Sequence, residues 1–154
     1  MDFFKNVHAY MNLRIGDGHH LIQNISRKFK EIEPTLGEIK IRTELNKKLN
    51  QAESYFPEAK AAIIDVRVRS FKEPVLLVFH LKDTILPSLT HDLEADLVFV
   101  LAYPGSAVPK YLQALSKLSR MLKTEGFGEK IRGATSSDAV LALLWSENES
   151  LKAA

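Results

Sequence analysis

Residues 61–81, AAIIDVRVRSFKEPVLLVFHL, leave a folding chain few choices. In the first half the residues alternate. Ala62, Ile64, Val66 and Val68 fall on one face, and Ile63, Asp65, Arg67 and Arg69 on the other, the period of two that a strand requires. In the second half, Val75 to Phe79 is apolar without a break, as in a strand covered on both faces. Residues 70–74, closing on Pro74, read as a hairpin turn between the two, which makes at least one strand pair antiparallel.

The flanking sequence supplies helices. Residues 7–15 alternate, with Ala9, Met11, Leu13 and Ile15 opposite His8, Tyr10, Asn12 and Arg14, and predict a half-buried strand near a sheet edge. Asp17 and Gly18 break it and open a helix whose stripe is Leu21, Ile25, Phe29 and Ile32, stopped by Pro34. A second helix, near 37–51, repeats Ile41, Leu45 and Leu49, and its lysine- and glutamate-rich face reads as solvated surface. Residues 82–95, with Pro87, form a connection that has room for an irregular edge segment.

LVFVLA at 97–102 is a second fully apolar strand, with a loop at 103–106. Pro109 suits the first turn of a helix carrying Leu112, Leu115, Leu118 and Leu122 and ended by Gly126 and Gly128. A turn near Ile131 follows. Thr135 with Asp138 resembles a capping box for a last helix over 136–145, and the polar tail ENESLKAA is expected to fray. Helices before, between and after strands give an α/β class, a three-layer α/β/α sandwich with a mixed sheet flanked by helices.

A length of 154 residues fits a single domain over 1–154 with a real core. A formal charge of +2 gives no argument for nucleic acid or an anionic membrane. With 0 cysteines, disulfides, thiolate nucleophiles and cysteine metal sites are excluded. No apolar run approaches the ~20 residues of a membrane span, and the start lacks the pattern of a signal peptide, so a cytoplasmic location is expected.

Isolated residues carry little chemistry. His19 and His20 are adjacent, point in different directions and have no third ligand at a recognisable spacing, so no metal is expected. His80 ends an apolar strand, where a histidine is more often hydrogen-bonded structure than a general base. His91, Asp92 and Ser88 are triad residue types without triad evidence, because triads are recognised by geometry. Arg67, Arg69 and Lys72 form a basic strip suited to a phosphate or an acidic partner, with a solvated strand face as the default.

A more specific signal is an ordered set of segments. AAIIDVRVRSFKEPVLLVFHLKDTI, ADLVFVLAYP, KYLQALSKLSRMLK and ATSSDAVLALL resemble, in that order, the type-2 enzyme IIA of the bacterial sugar phosphotransferase system, the mannitol/fructose type with its nitrogen-regulatory relatives. The resemblance covers about residues 60–144. It implies a site on the first strand, where the family has Ala-x-Pro-His and the histidine takes phosphate from the histidine-containing phosphocarrier protein for an enzyme IIB. Here Ile64 stands for the proline and Asp65 for the histidine, with Arg67 as the basic residue that follows. Tyr111 stands where the family's second histidine opens a helix, and of the upstream residues only Ser54 matches.

Asp65 is therefore expected at the phosphoacceptor position but unsuited to histidine phosphotransfer. An acyl phosphate on it would call for Mg²⁺ and further carboxylates that this strand lacks. An Asp65–Arg67 pair on one strand face is worth a fraction of a kcal/mol, and a sharper reading makes Asp65 a fixed charge mimicking phosphohistidine. The expectation is a regulatory enzyme IIA-like domain, without cofactor, that binds the phosphocarrier protein or an enzyme IIB-like domain. The alternatives are an active phosphocarrier using His80 or His91, and an interaction module sharing only the fold.

Overall fold

The computed structural model describes residues 4–105 and 108–153. A five-stranded mixed sheet is built from β1 (Val7–Leu13), β2 (Tyr55–Phe56), β3 (Ala61–Arg67), β4 (Val75–Ile85) and β5 (Ala95–Tyr103), in the spatial order β1-β4-β5-β3-β2. β4 and β5, which carry the unbroken apolar runs Val75–Phe79 and 97–102, take central positions, where those runs are covered on both faces and both edges. The half-polar β1 and the two-residue β2 form the edges.

Strand pairing corrects the expected hairpin. β3 and β4 run in opposite directions but do not pair, because β5 lies between them. β3 pairs with β5 in parallel, Ala61 opposite Leu97 through Arg67 opposite Tyr103, whereas β4 pairs with β5 antiparallel, Val75 opposite Ala102. Residues 68–74 carry the chain past the end of β5 instead of turning it back on itself. Neighbours in sequence usually pair; here β5, apolar from Leu97 to Ala102, gains two partners by inserting.

Helices cover both faces. α1 (Gly18–Ile32) and α2 (Glu38–Leu49) pack Leu21, Ile25, Phe29, Ile41, Leu45 and Leu49 against Ala62, Ile64, Val66, Leu77, Phe79, Val98 and Val100. α3 (Val108–Lys123), α4 (Phe127–Arg132) and α5 (Ser137–Ala153) pack Leu118, Met121, Phe127, Ile131, Val140 and Leu144 against Ala61, Ile63, Leu76, Val78, Leu97, Phe99 and Leu101. The strand alternation read from 61–69 thus sorts correctly into two layers, and the α/β/α sandwich with a mixed sheet holds.

Several details differ from expectation. In β1, Ala9 and Met11 face the α3–α5 layer, but Leu13 and Ile15 join Tyr10 on the opposite face. Asn12 has φ +57°, and the pairing with β4 slips between Tyr10 and Leu13, so one irregular residue reverses the alternation. β4 extends to Ile85, which pairs with Ala95, and this shortens the expected connection to 86–94. The loop expected at 103–106 begins after Tyr103, and Ser106 lies outside the described residues.

The helix that Gly126 and Gly128 are expected to end stops earlier, at Lys123. Gly126, at φ +84°, is the left-handed residue from which the six-residue α4 starts, with Gly128 inside it. The cap of α5 is Ser136, whose Oγ accepts from the Ala139 N–H at 3.1 Å, rather than Thr135. α5 continues through the polar tail because that segment has a buried side: Asn148 is 1% exposed, Glu147 is buried and Leu151 packs on the core.

Candidate functional site

Among the described residues β2 pairs only with Ala61 and Ala62, and from Ile63 onward the outer edge of β3 has no strand neighbour. Asp65 sits on this open stretch, opposite Leu101 of β5. Its neighbours Ile64 and Val66 anchor the strand in the α1–α2 layer, and its own side chain keeps 15% exposure.

Two donors meet at one carboxylate oxygen. The Lys48 ammonium, from the last turn of α2, lies 3.3 Å from Asp65 Oδ2. The Tyr111 hydroxyl, from the first turn of α3, donates to the same Oδ2. Burial raises the Tyr111 pKa well above the usual tyrosine range, and the hydrogen bond and negative charge of Asp65 push it the same way. Tyr111 is therefore a fixed neutral donor at any ordinary pH. Its ring stacks on Tyr103 with centroids 3.7 Å apart and planes at 15°, and the Arg67 guanidinium lies 5.8 Å from the Tyr103 centroid.

Ser54 sits one step behind. Its Oγ donates to the Lys48 carbonyl at 2.8 Å, and the Tyr55 hydroxyl donates to the Leu49 carbonyl at 2.6 Å. The Lys48 carbonyl also accepts from the Gln51 N–H at 3.2 Å, and together these bonds to the carbonyls at the end of α2 fix the turn that presents Lys48. Burial raises the Tyr55 pKa to about 12. The structure thus gathers Asp65, Tyr111 and Arg67 around one point and places Ser54 in support of Lys48.

Asp65 and Arg67 do not form the ion pair considered from strand spacing. Asp65 takes Lys48 and Tyr111 instead, while Arg67 lies along Tyr103.

Lys48 and Tyr103 are the residues that sequence reasoning missed. A signal for Lys48 existed. It lies three residues after Leu45 and seven after Ile41, at helical spacing, on the flank of the buried stripe rather than on the solvated face. Tyr103, where the sequence suggests the start of a loop, is the last residue of β5, opposite Arg67.

The remaining candidates lie elsewhere. His80 is level with Ala61 across β5, about 13 Å along the strand direction from Asp65 and two strand spacings away. Its Nδ1 accepts from the Asn12 N–H at 3.3 Å, which leaves the proton on Nε2, 3.9 Å from Asp96. Asp96 in turn is gripped by Arg132, at 2.8 Å to Nη2 and 3.1 Å to Nε.

The His91 ring packs edge-on to Tyr55, with its Nδ1 accepting from the Leu93 N–H. Ser88 Oγ is held by Asn50 and Thr90, so Ser88, His91 and Asp92 do not assemble as a triad. His20 turns to Asp17 and His19 to Gln23, two separate contacts on α1. Arg69 and Lys72 flank Arg67 at the end of β3.

A cleft of ≈ 490 Å³ opens beside Asp65, between α2 and the end of β3. It is walled by Ile41, Val66 and Val68 and rimmed by Lys40, Glu44, Lys48, Arg67 and Arg69. Among the described residues no helix is long and apolar enough to cross a membrane.

The same architecture occurs in solved proteins. The nitrogen regulatory protein IIA-Ntr of Neisseria meningitidis superimposes with a TM-score of 0.71 at 18% identity, over 92% of this chain and 96% of that one. The mannitol IIA of Escherichia coli gives 0.65 at 15% identity, over 89% and 95% of the two chains. The complex of E. coli IIA mannitol with phosphorylated IIB mannitol gives 0.68 at 15% identity, covering 93% of this chain and 99% of that chain. At these identities the likeness is one of fold. No curated protein sequence gives a significant match. A family model, described as phosphoenolpyruvate-dependent sugar phosphotransferase system, EIIA 2, matches residues 2–147. With nearly the whole chain matched, and with the fold agreeing, the protein belongs to the EIIA 2 family of the phosphotransferase system.

Proposed function

We propose that this protein is a regulatory EIIA 2 domain, with residues 1–154 acting as one unit, that works by binding partners and does not pass on a phosphoryl group. The observation that carries this reading is Asp65. It occupies the strand position at which the family resemblance expects the phosphoacceptor histidine, and its carboxylate is engaged by Lys48 and Tyr111. A carboxylate so held is a poor nucleophile toward a phosphohistidine donor. Acyl phosphate chemistry also draws on further carboxylates, and no cluster of three His, Cys, Asp or Glu side chains suited to a metal occurs among the described residues.

The partner is an enzyme IIB-like domain or the histidine-containing phosphocarrier protein, in the cytoplasm. The likeness to an E. coli IIA mannitol protein held by phosphorylated IIB mannitol supports a IIB-like partner. The surface offers Arg67 and, next to Tyr111 on α3, the 54% exposed Leu112, a combination of charge and apolar contact suited to transient docking. Asp65 keeps a negative charge where a phosphorylated relative would carry one, so the domain displays one signalling state permanently.

The reading that His80 or His91 carries phosphate has less support. His80 lies far from Asp65 with Nδ1 occupied by Asn12, and His91 packs against Tyr55.

Labelling decides the matter. Incubation with radiolabelled phosphoenolpyruvate, enzyme I and the phosphocarrier protein is expected to leave the chain unlabelled, while a phosphorylated partner still binds. Acid-labile label abolished by His80→Ala or His91→Ala would overturn the proposal. For the charge mimic, partner affinities of Asp65→Asn and Asp65→His are compared, and equality with the native chain would remove that idea.

A further inference from the structure

We propose that the cleft between α2 and the end of β3 binds a small dianion, a phosphate monoester with a short carbon skeleton, as a regulatory ligand. The inference goes beyond the partner-binding role and does not depend on loss of phosphoryl transfer.

The case begins with charge. Four cations, Lys40, Lys48, Arg67 and Arg69, line the cleft against two carboxylates, Glu44 and Asp65. Lys48 and Asp65 satisfy each other. What remains is three cations facing Glu44, an excess of two positive charges. Lys40, Arg69 and Lys72 make no ion pair or hydrogen bond among the described residues, and Arg67 has only the Tyr103 ring.

Like charges held side by side repel, and a cleft wall of low dielectric concentrates their field. An anion from solution relieves that repulsion. A phosphate monoester, with about −1.5 to −2 charge at neutral pH, matches the excess. Arginine forks at Arg67 and Arg69 suit its oxygens. On the other side of these two arginines a second depression adds Lys72 and has no carboxylate in its lining, so both guanidiniums sit in positive surroundings.

Shape narrows the ligand. A volume of ≈ 490 Å³ is in the range of small-molecule sites, and Ile41, Val66 and Val68 form an apolar wall for a short carbon chain. A nucleotide is disfavoured. Tyr103 is the aromatic residue of the lining, and its faces are taken by Tyr111 and Arg67, which leaves none to stack a base.

The test is a titration of the full chain with glycerol 3-phosphate, read by backbone amide chemical shifts, with sodium chloride at matched ionic strength as the blank. Saturable shifts centred on residues 36–44 and 66–70 are expected. Lys40→Ala combined with Arg69→Ala, both exposed positions, should weaken binding about tenfold or more, and Glu44→Gln should tighten it. Shifts that the chloride blank reproduces, or that survive the double substitution unchanged, would overturn the site. Succinate binding as tightly as glycerol 3-phosphate would overturn the phosphate assignment. Phosphoryl labelling of the chain has a separate readout and bears only on the function proposed above.

Discussion

The Tyr111 hydroxyl donates to the same Asp65 oxygen that the Lys48 ammonium approaches at 3.3 Å, so one carboxylate joins the first turn of α3 to the last turn of α2 across the open edge of β3. Tyr111→Phe keeps the ring stacked on Tyr103 and removes only the hydroxyl. The expected loss is about 2 kcal/mol of stability, the scale of a hydrogen bond to a charged group that is partly withdrawn from water. Urea denaturation checks it, and a change within about 0.5 kcal/mol would show that solvent replaces the hydroxyl at no cost.

The titration of Tyr111 offers an independent reading. Its pKa is raised first by burial and then by the hydrogen bond and charge of Asp65. Asp65→Asn removes the charge and leaves the burial, so tyrosinate formation at Tyr111 is expected at lower pH than in the native chain while staying above that of a free tyrosine. Tyrosinate absorbance, with Tyr111→Phe to assign the signal, measures it. An unchanged titration would mean that burial alone sets the value.

Lys48 and Tyr111 share an acceptor, so their removal is not additive. Lys48→Met alone is expected to cost less than about 1 kcal/mol, because the pair retains 27% and 15% side-chain exposure and solvent screens it. In the Tyr111→Phe background the same change strips Asp65 of its second donor and costs more. A double-mutant cycle should show coupling above about 0.5 kcal/mol. Strict additivity would show that the two donors act separately.

Alkaline stability depends on Tyr55. Its folded pKa, about 12, exceeds the ordinary value of 10.0 because the side chain is buried. Below pH 10 the phenol is neutral in both the folded and unfolded chains, and its contribution is complete. As pH rises from 10 toward 12 the unfolded state loses the proton first, so the native state is progressively disfavoured. Tyr55→Phe is expected to flatten this decline. Melting temperatures measured at pH 9 and pH 11.5 test it, and equal losses in both proteins would exclude Tyr55 as a source.

Gly18 opens α1 against the loop that follows β4. A Cβ there would overlap the Pro87 carbonyl oxygen, closer than real Cβ contacts come. Gly18→Ala forces backbone apart and should cost about 2–3 kcal/mol. Gly16→Ala, with nothing within 4 Å, is the matched control and should be near neutral. Comparable denaturation midpoints for the two variants would contradict the packing described here.

Legibility in the sequence tracked how local each determinant is. The alternation of Ala62 to Val68 and the stripes Leu21–Ile25–Phe29 and Ile41–Leu45–Leu49 depend on near neighbours and fall on the expected faces, whereas Ile32, the fourth residue of the first stripe, is exposed at the end of α1. Residues 70–74 read as a hairpin turn because their chemistry is compatible with one, and only the distant β5 decides otherwise. The reversal at Asn12 arises from a single backbone angle that no side-chain pattern announces. At the site, Asp65, Tyr111, Arg67 and Ser54 were named through family resemblance. Lys48 was absorbed into a charged helix face, since its role requires knowing that α2 ends beside the open edge of β3.

The insertion of β5 between β3 and β4 has a consequence for how the chain reaches its native state. Neither older strand can acquire its central partner until residues 95–103 are available, although together they span most of the middle of the sequence. During synthesis β4 can pair with β1 and β3 with β2, but each waits with its β5-facing apolar edge unpaired, a state exposed to association with other chains. Closing the sheet is then a late, non-local event of the kind that slows folding. Chains halted before Ala95 are accordingly expected to aggregate or engage chaperones, and chains extended past Tyr103 to escape both; equal solubility of the two would refute this order of assembly.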